Sequence, residues 1–351
     1  MKALPWLLGA AGLAAARSAV LRVREVEFHG KVTLVTGASR GLGYLIAREL
    51  GRQGCRVVIC ARDEAELERA ADALRGEGID VHAVAADIAH EADVERMVRS
   101  AEEQVGPIDV LVNNAGIMEV GPFTSMTVQD FEDCMGVMFW GGLFCIRAVL
   151  PGMRERRSGW IINVTSIGGK ISAPHLLPYN SAKFAAVGLS EGLRAELAAD
   201  GIAVTTVCPG FMRTGSYVNV VYKSQPQREF VWFAAGSSLP IATMNAERAA
   251  AHIVRAARRG QAEIFPVWWA PWAARFHGLF PGITADAMGL FNRFLPDDSG
   301  ADHAEERGLI IERAMESPLV SWLTTLGRAA GQRWHEIPGN PHPLQGEERT
   351  T

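Results

Sequence analysis

Between residues 32 and 267 one alternation recurs, and it restricts the fold more than any other feature of the chain. Short apolar runs stand at "VTLVTG" (32–37), "CRVVICAR" (55–62), "IDVHAVAAD" (79–87), "IDVLVNNAG" (108–116), "GWIINVTS" (159–166) and "GIAVTTVCPG" (201–210). Helical periodicity occupies 41–54, 63–78, 91–105, 179–199 and 245–259, and a last strand is expected at 262–267. Near-continuous apolar strands are buried on both faces, which requires helices on both sides of a parallel sheet. Right-handed crossovers make that an α/β, doubly wound sheet. A hydrophobic fraction of 48% against 21% charged residues is enough to fill such a core.

The formal net charge of −4, with no long Lys/Arg block, argues against a nucleic-acid partner. Cysteines 55, 60, 134, 145 and 208 form no CxxC pair, so buried reduced thiols are expected and no metal site. The uncharged run Ala3–Ala16 is shorter than the roughly 20 residues a span needs, and Arg17, Arg22, Arg24 and Lys31 follow it. Two readings stand: contact with a membrane whose cytoplasmic side holds the following domain, or an Ala-rich helix packed on its own protein. The stretch 267–296 carries Trp268, Trp269, Trp272, Phe276, Phe280, Phe291 and Phe294 with few charges. It suits a lipid interface or a protein contact, including a homo-oligomer interface. The expected organisation is an apolar segment 1–27, a catalytic domain 28–266, an aromatic helical extension 267–336 and a polar tail 337–351.

"TGASRGLG" (36–43) joins the first strand to the first helix. Gly37 permits a tight turn, and Gly41 and Gly43 let backbone approach a pyrophosphate and pack on the sheet. Ser39, Arg40 and Leu42 complete this loop, whose exposed N–H groups and helix dipole favour an anion. The second strand ends in Ala61-Arg62, where a carboxylate would select the unphosphorylated ribose. Arg40 and Arg62 therefore form an expected clamp for a 2′-phosphate, favouring NADP(H), while Asp63 caps the next helix.

"YNSAK" (179–183) places Tyr179 and Lys183 on one helix face, with Ser166 at a strand end thirteen residues upstream. Reduction of a carbonyl needs a proton donor within hydrogen-bond reach. A nearby ammonium, together with the charge of an oxidised nicotinamide, is expected to lower the phenol's pKa from its usual ~10. TGxxxGxG, Asn113-Asn114-Ala115-Gly116, Ser166, Tyr179-x-x-x-Lys183 and Pro209-Gly210 with Thr214 together resemble the short-chain dehydrogenase/reductases over roughly 30–265. The resemblance implies a single Rossmann-type domain with a seven-stranded sheet and a nicotinamide cofactor. It implies Tyr179 as acid/base, Lys183 as its partner and Ser166 as the ligand of the substrate oxygen. It further implies cofactor contacts at Asp87, Asn113, Ala115, Gly116, Pro209, Gly210 and Thr214.

One position departs from that pattern. Aligned through "FWGGLFCIRAVLP" (139–151), Met138 stands where the family commonly has an Asn that relays protons from the lysine. A thioether donates no hydrogen bond. A catalytically weakened protein that binds NADP(H) as a sensor or scaffold is therefore the alternative to an oxidoreductase. The loop 211–243, rich in Phe211, Met212, Tyr217, Tyr222, Phe230, Trp232 and Phe233, is expected to cover an apolar pocket for a steroid-, lipid- or terpenoid-like ketone or alcohol. A simple ketoreductase of fatty-acid synthesis is disfavoured by the aromatic extension.

Overall fold

Runs rich in valine, isoleucine and leucine form the central strands, and their side chains are buried on both faces as parallel pairing requires. The computed structural model describes residues 25–238, 243–298, 304–315 and 318–336. The expectations for the N-terminal apolar run and the polar tail fall outside these residues. Seven parallel strands, β1 (Val32–Thr36), β2 (Arg56–Ala61), β3 (Val81–Ala85), β4 (Val110–Asn113), β5 (Gly159–Val164), β6 (Ile202–Val207) and β7 (Glu263–Ile264), lie in the order β3-β2-β1-β4-β5-β6-β7. The order reverses between β1 and β4, so a crevice opens beyond their carboxyl ends, where ligands bind in sheets of this kind. Strand β7 is shorter than expected because Pro266 follows Phe265 and has no N–H for the ladder.

Local chemistry sets the helix ends. Asp63 accepts a hydrogen bond from the Glu66 N–H at 2.8 Å and starts helix Glu64–Gly76, the capping role read from the sequence. Helix Leu177–Leu197 starts two residues before Tyr179 because Pro178 suits a first-turn position. A long helix from Val128 to Arg156 opens with a capping box between Thr127 and Asp130. By length and composition it could cross a membrane, yet Cys145, Ile146, Val149 and Met153 bury it against the sheet. A π-helical turn, Gly136–Trp140, interrupts it and carries Met138; such turns recur at functional sites. All five cysteines are buried free thiols.

The region after β6 differs from the sequence reading. Val221–Ser224 pairs in parallel with Glu119–Val120 and antiparallel with Ala304–Arg307, and Pro226–Ser238 is a helix. Tyr217, Val218, Val220, Tyr222, Phe230 and Phe233 do not line a substrate pocket. They form a second-tier core with Val120, Leu176 and Ile311, because edge-to-face aromatic packing buries them better against one another. Among the described lid residues Phe211, Met212, Val221, Val231 and Trp232 stay partly exposed. Glu229, fully buried, ties this lid to the segment before Tyr179: its Oε1 lies 2.8 Å from His175 Nδ1, and its Oε2 accepts from Trp232 Nε1 at 2.6 Å.

The extension is not wholly helical. Helices Ala270–Leu279 and Pro281–Asn292 form a hairpin, strand Ala304–Arg307 joins the lid, and helix Pro318–Arg333 packs on helix Pro226–Ser238. The chain then returns to the first helix, Gly41–Arg52, where Trp334 enters the main core.

Candidate active site

The glycine loop is stitched to the end of β4. Thr36 Oγ1 accepts from the backbone N–H groups of Asn114 (3.0 Å) and Ala115 (3.2 Å) and donates to the Val112 carbonyl (3.3 Å). The Asn114 amide donates to the carbonyls of Thr36 and Gly37, each at 3.1 Å. Gly37 has φ +63°, and a Cβ there would lie 2.6 Å from Ala115 Cα. A Cβ at Gly43 would lie 2.2 Å from the Gly37 carbonyl oxygen. Both glycines are therefore required by contact distance, as the motif predicts. Asn114 was quoted in the sequence motif without a role; here it holds two motifs together.

The cradle at the helix start accepts an anion. A Cβ at Gly41 would meet Glu336 Oε1 at 2.1 Å, so a carboxylate already stands in the space the glycine leaves open. The Gly41 N–H, free of helix bonding, donates to the Trp334 carbonyl at 2.9 Å. Burial pushes the Glu336 carboxyl up to about 7, against the pull of Arg40 and the Asn219 amide. A pyrophosphate suits the same donors. Glu336 and Asn219 lay beyond sequence reasoning, since no local pattern marks them.

The expected pair of free guanidiniums is not what the structure holds. Arg40 Nη1 pairs with Glu66 Oε2 at 2.6 Å, and its Nε is 3.5 Å from Glu336 Oε2. Glu66 reaches it from the first turn of its helix, where Ser39 Oγ also approaches it at 3.5 Å. Arg62 is largely exposed at the end of β2, with Nη1 3.9 Å from Asp87 Oδ2. Asp87 also accepts from the Ala89 N–H at 3.1 Å. Leu42 is buried in the main core behind the loop.

Ser166, Tyr179 and Lys183 come together beyond β5. Ser166 Oγ accepts from the Gly168 N–H at 3.0 Å, leaving its own proton free to donate. It lies close enough to the Tyr179 phenol to pull its pKa down. A Cβ at Gly168 would lie 2.5 Å from Asn180 Oδ1, so glycine suits this turn, with Ser166 Oγ at 3.3 Å and Tyr179 Cε1 at 3.4 Å close beside it. Lys183 Nζ donates to the Val164 carbonyl at 2.9 Å and lies 5.6 Å from the Tyr179 ring centroid. Burial pulls the Lys183 ammonium down to about 8. The expected lowering of the phenol is not found in the protein's own field. Burial pushes Tyr179 up to about 12, outweighing the pull of Ser166, and keeps it a proton donor.

The remaining residues frame this centre. Pro209 accepts from the Ile167 N–H at 2.7 Å; a Cβ at Gly210 would lie 3.1 Å from Trp269; Thr214 Oγ1 accepts from the Ser216 N–H at 3.1 Å. Asn113 donates to Asn163 Oδ1 at 2.9 Å and to the Gly142 carbonyl at 3.3 Å. Met138 and Lys183 flank Gly116, whose Cβ would lie 3.4 Å from Met138 Sδ and 3.8 Å from Lys183 Nζ. A small cavity is lined by Met138, Lys183, Thr36, Asn113 and Asn163. Asn113 Oδ1 is buried there without a protein partner.

A doubly wound parallel sheet, an anion cradle at its switch point and a Ser–Tyr–Lys cluster beside it define a dinucleotide-dependent oxidoreductase fold. The chain belongs to the short chain dehydrogenase family, whose model matches residues 31–224. It is 34% identical over 191 residues to the ketoacyl reductase HetN of a Nostoc species, covering 54% of this chain and 67% of the relative. A solved actinorhodin polyketide ketoreductase with NADPH aligns with a TM-score of 0.61 and 30% identity, covering 69% of this chain and 97% of its own. A short chain dehydrogenase/reductase from Burkholderia phymatum in complex with NAD aligns with a TM-score of 0.66 and 26% identity, covering 74% and 96%.

Proposed function

We propose that the protein is an NADP(H)-dependent oxidoreductase that interconverts a hydrophobic ketone and its secondary alcohol. The observation that carries this reading is the convergence of Ser166, Tyr179 and Lys183 beside a glycine cradle fit for an anion. When bound, the nicotinamide supplies or accepts the hydride. The chain's residues do the rest. The Ser166 hydroxyl donates to the carbonyl oxygen and polarises it. The Tyr179 phenol gives that oxygen its proton, and the Lys183 ammonium stabilises the phenolate left behind. Arg62, and Arg40 once turned from its carboxylate partners, favour a 2′-phosphate, and no carboxylate closes β2. Relatives named as ketoacyl and polyketide ketoreductases support a ketone as the substrate group.

The reading predicts that NADPH is oxidised faster than NADH with a panel of apolar ketones and 3-ketoacyl thioesters. Met138 motivates the second reading, binding without turnover: NADPH bound tightly but oxidised with no carbonyl would select it. The pH profile is a separate check. Tyr179 stays protonated to about 12, while Lys183 loses its proton at about 8. Reductive kcat/KM should be flat below that pH and fall as pH rises through it. In Lys183→Arg, whose guanidinium does not titrate, the falling limb should vanish.

We further propose attachment to the cytoplasmic face of a membrane through the hairpin 267–296, with the N-terminal residues 3–21 assisting. Trp268, Trp272 and Phe294 are 71%, 69% and 79% exposed, and Leu279, Ile283 and Leu290 extend this apolar face. Amphipathic Trp-rich surfaces of low charge partition into the headgroup region. The full chain should sediment with phosphatidylcholine vesicles containing anionic lipid, and a Trp272→Ser, Phe276→Ser, Phe294→Ser variant should lose most of that binding. Equal sedimentation of both would place the contact elsewhere.

A further inference from the structure

The end of the described chain stands in the site where the cofactor's charge would be. We propose that Trp334–Glu336 is an inhibitory strap that occupies the pyrophosphate cradle, so that NADP(H) binds only when it is displaced. The proposal rests on the dinucleotide reading of the glycine loop and adds its regulation.

The contacts are mutually reinforcing. The Trp334 carbonyl takes the Gly41 N–H at 2.9 Å, one of the free donors at the helix start that a phosphate oxygen would use. The Glu336 side chain, 7% exposed, fills the volume over Gly41 with a carboxylate oxygen, the functional group closest in chemistry to a phosphate oxygen. Its second oxygen accepts from Asn219 Nδ2 at 2.6 Å and lies 3.5 Å from Arg40 Nε. Asn219 also donates to the Glu336 backbone carbonyl at 3.3 Å. Trp334 is buried against the first helix under the Arg48 guanidinium, 5.5 Å from its ring centroid, and His335 packs edge-on to Tyr44 at 4.8 Å.

A segment that merely closed the core would present apolar atoms to the loop. Burying a carboxylate is costly unless donors and positive charge answer it. Here the answering groups are Arg40, already assigned to the cofactor, and the Asn219 amide on the lid, while the Trp334 carbonyl takes the helix N-terminal N–H of Gly41. Two anions cannot share that cradle, so strap and cofactor exclude each other. The strap continues helix Pro318–Arg333, which packs on lid helix Pro226–Ser238, and a Cβ at Gly215 would meet Gly331 Cα at 2.4 Å. Release of the strap is thereby tied to the lid beside the substrate side of the site.

Occlusion lowers apparent affinity by the fraction of molecules with the strap released. The test is NADPH titration by fluorescence with the full chain, Glu336→Ala, and Asn219→Asp, which sets a second carboxylate against Glu336 from an exposed position. Both variants should bind NADPH roughly tenfold more tightly than the wild type. In the wild type, saturating NADPH should speed hydrogen exchange of the backbone amides of 331–336. Equal or weaker affinity in both variants, or protection of those amides by NADPH, would overturn the strap. The same affinity order without turnover on any carbonyl would overturn the catalytic reading and leave the strap standing.

Discussion

Tyr179→Phe is expected to reduce carbonyl turnover by about 10²–10⁴-fold, the range general acid catalysis contributes, while leaving NADPH affinity within about twofold of the wild type. The ring stays partly buried between Ser166 and the face carrying Lys183, so phenylalanine keeps the packing and removes only the proton. The effect should fall on kcat and kcat/KM together, because the lost interaction forms only as the alkoxide develops. Steady-state rates with the most active ketone of the panel, beside a binding isotherm, check both halves. Unchanged turnover would remove Tyr179 from the chemistry, and Ser166 and Lys183 would lose their reason to converge on it.

Gly37→Ala is expected to be strongly damaging for a single-methyl change. At φ +63° an alanine costs about 1–2 kcal/mol from backbone strain alone. Its Cβ would also stand 2.6 Å from Ala115 Cα, well inside the ~3.5–4.0 Å of a normal carbon contact. The loop cannot move aside freely, because the Asn114 amide holds the carbonyls of Thr36 and Gly37, on either side of the Gly37 Cα. A total loss of roughly 2–4 kcal/mol follows, of the size seen when a special backbone conformation is broken. Denaturant unfolding should show a lower midpoint with an unchanged slope, and NADPH affinity should fall with it. An unchanged midpoint would mean that the turn relaxes in a way this packing forbids.

How far the sequence carried this account depends on the range over which each residue acts. The strands, the glycine turn and the Asp63 cap were legible because their causes lie within a few positions: alternation, a required positive φ, a side chain reaching its own third neighbour. The pair Tyr179 and Lys183 was legible through helix spacing, and Met138 through its place in the helix after β4. Charge partners were not. Arg40 looked free to clamp a phosphate, but Glu66 arrives from another helix and Glu336 from the far end of the chain. The lid's aromatic residues were legible as apolar and not as pocket or core, since both uses ask for the same side chains; packing with Ile311 of the extension decides the matter for Tyr217, Tyr222, Phe230 and Phe233. The upward push of burial on the phenol in the protein's own field was not legible, because burial is a property of the folded whole.

The central claim is that this chain moves a hydride and a proton onto a carbonyl at Tyr179. Incubation with NADPH deuterated at the transferable C4 position and an apolar ketone, followed by mass spectrometry of the alcohol, tests it directly. The account predicts one deuterium on the carbinol carbon of the product, formed by the wild type and nearly absent with Tyr179→Phe. Alcohol without deuterium, or equal deuterated product from both proteins, would contradict it.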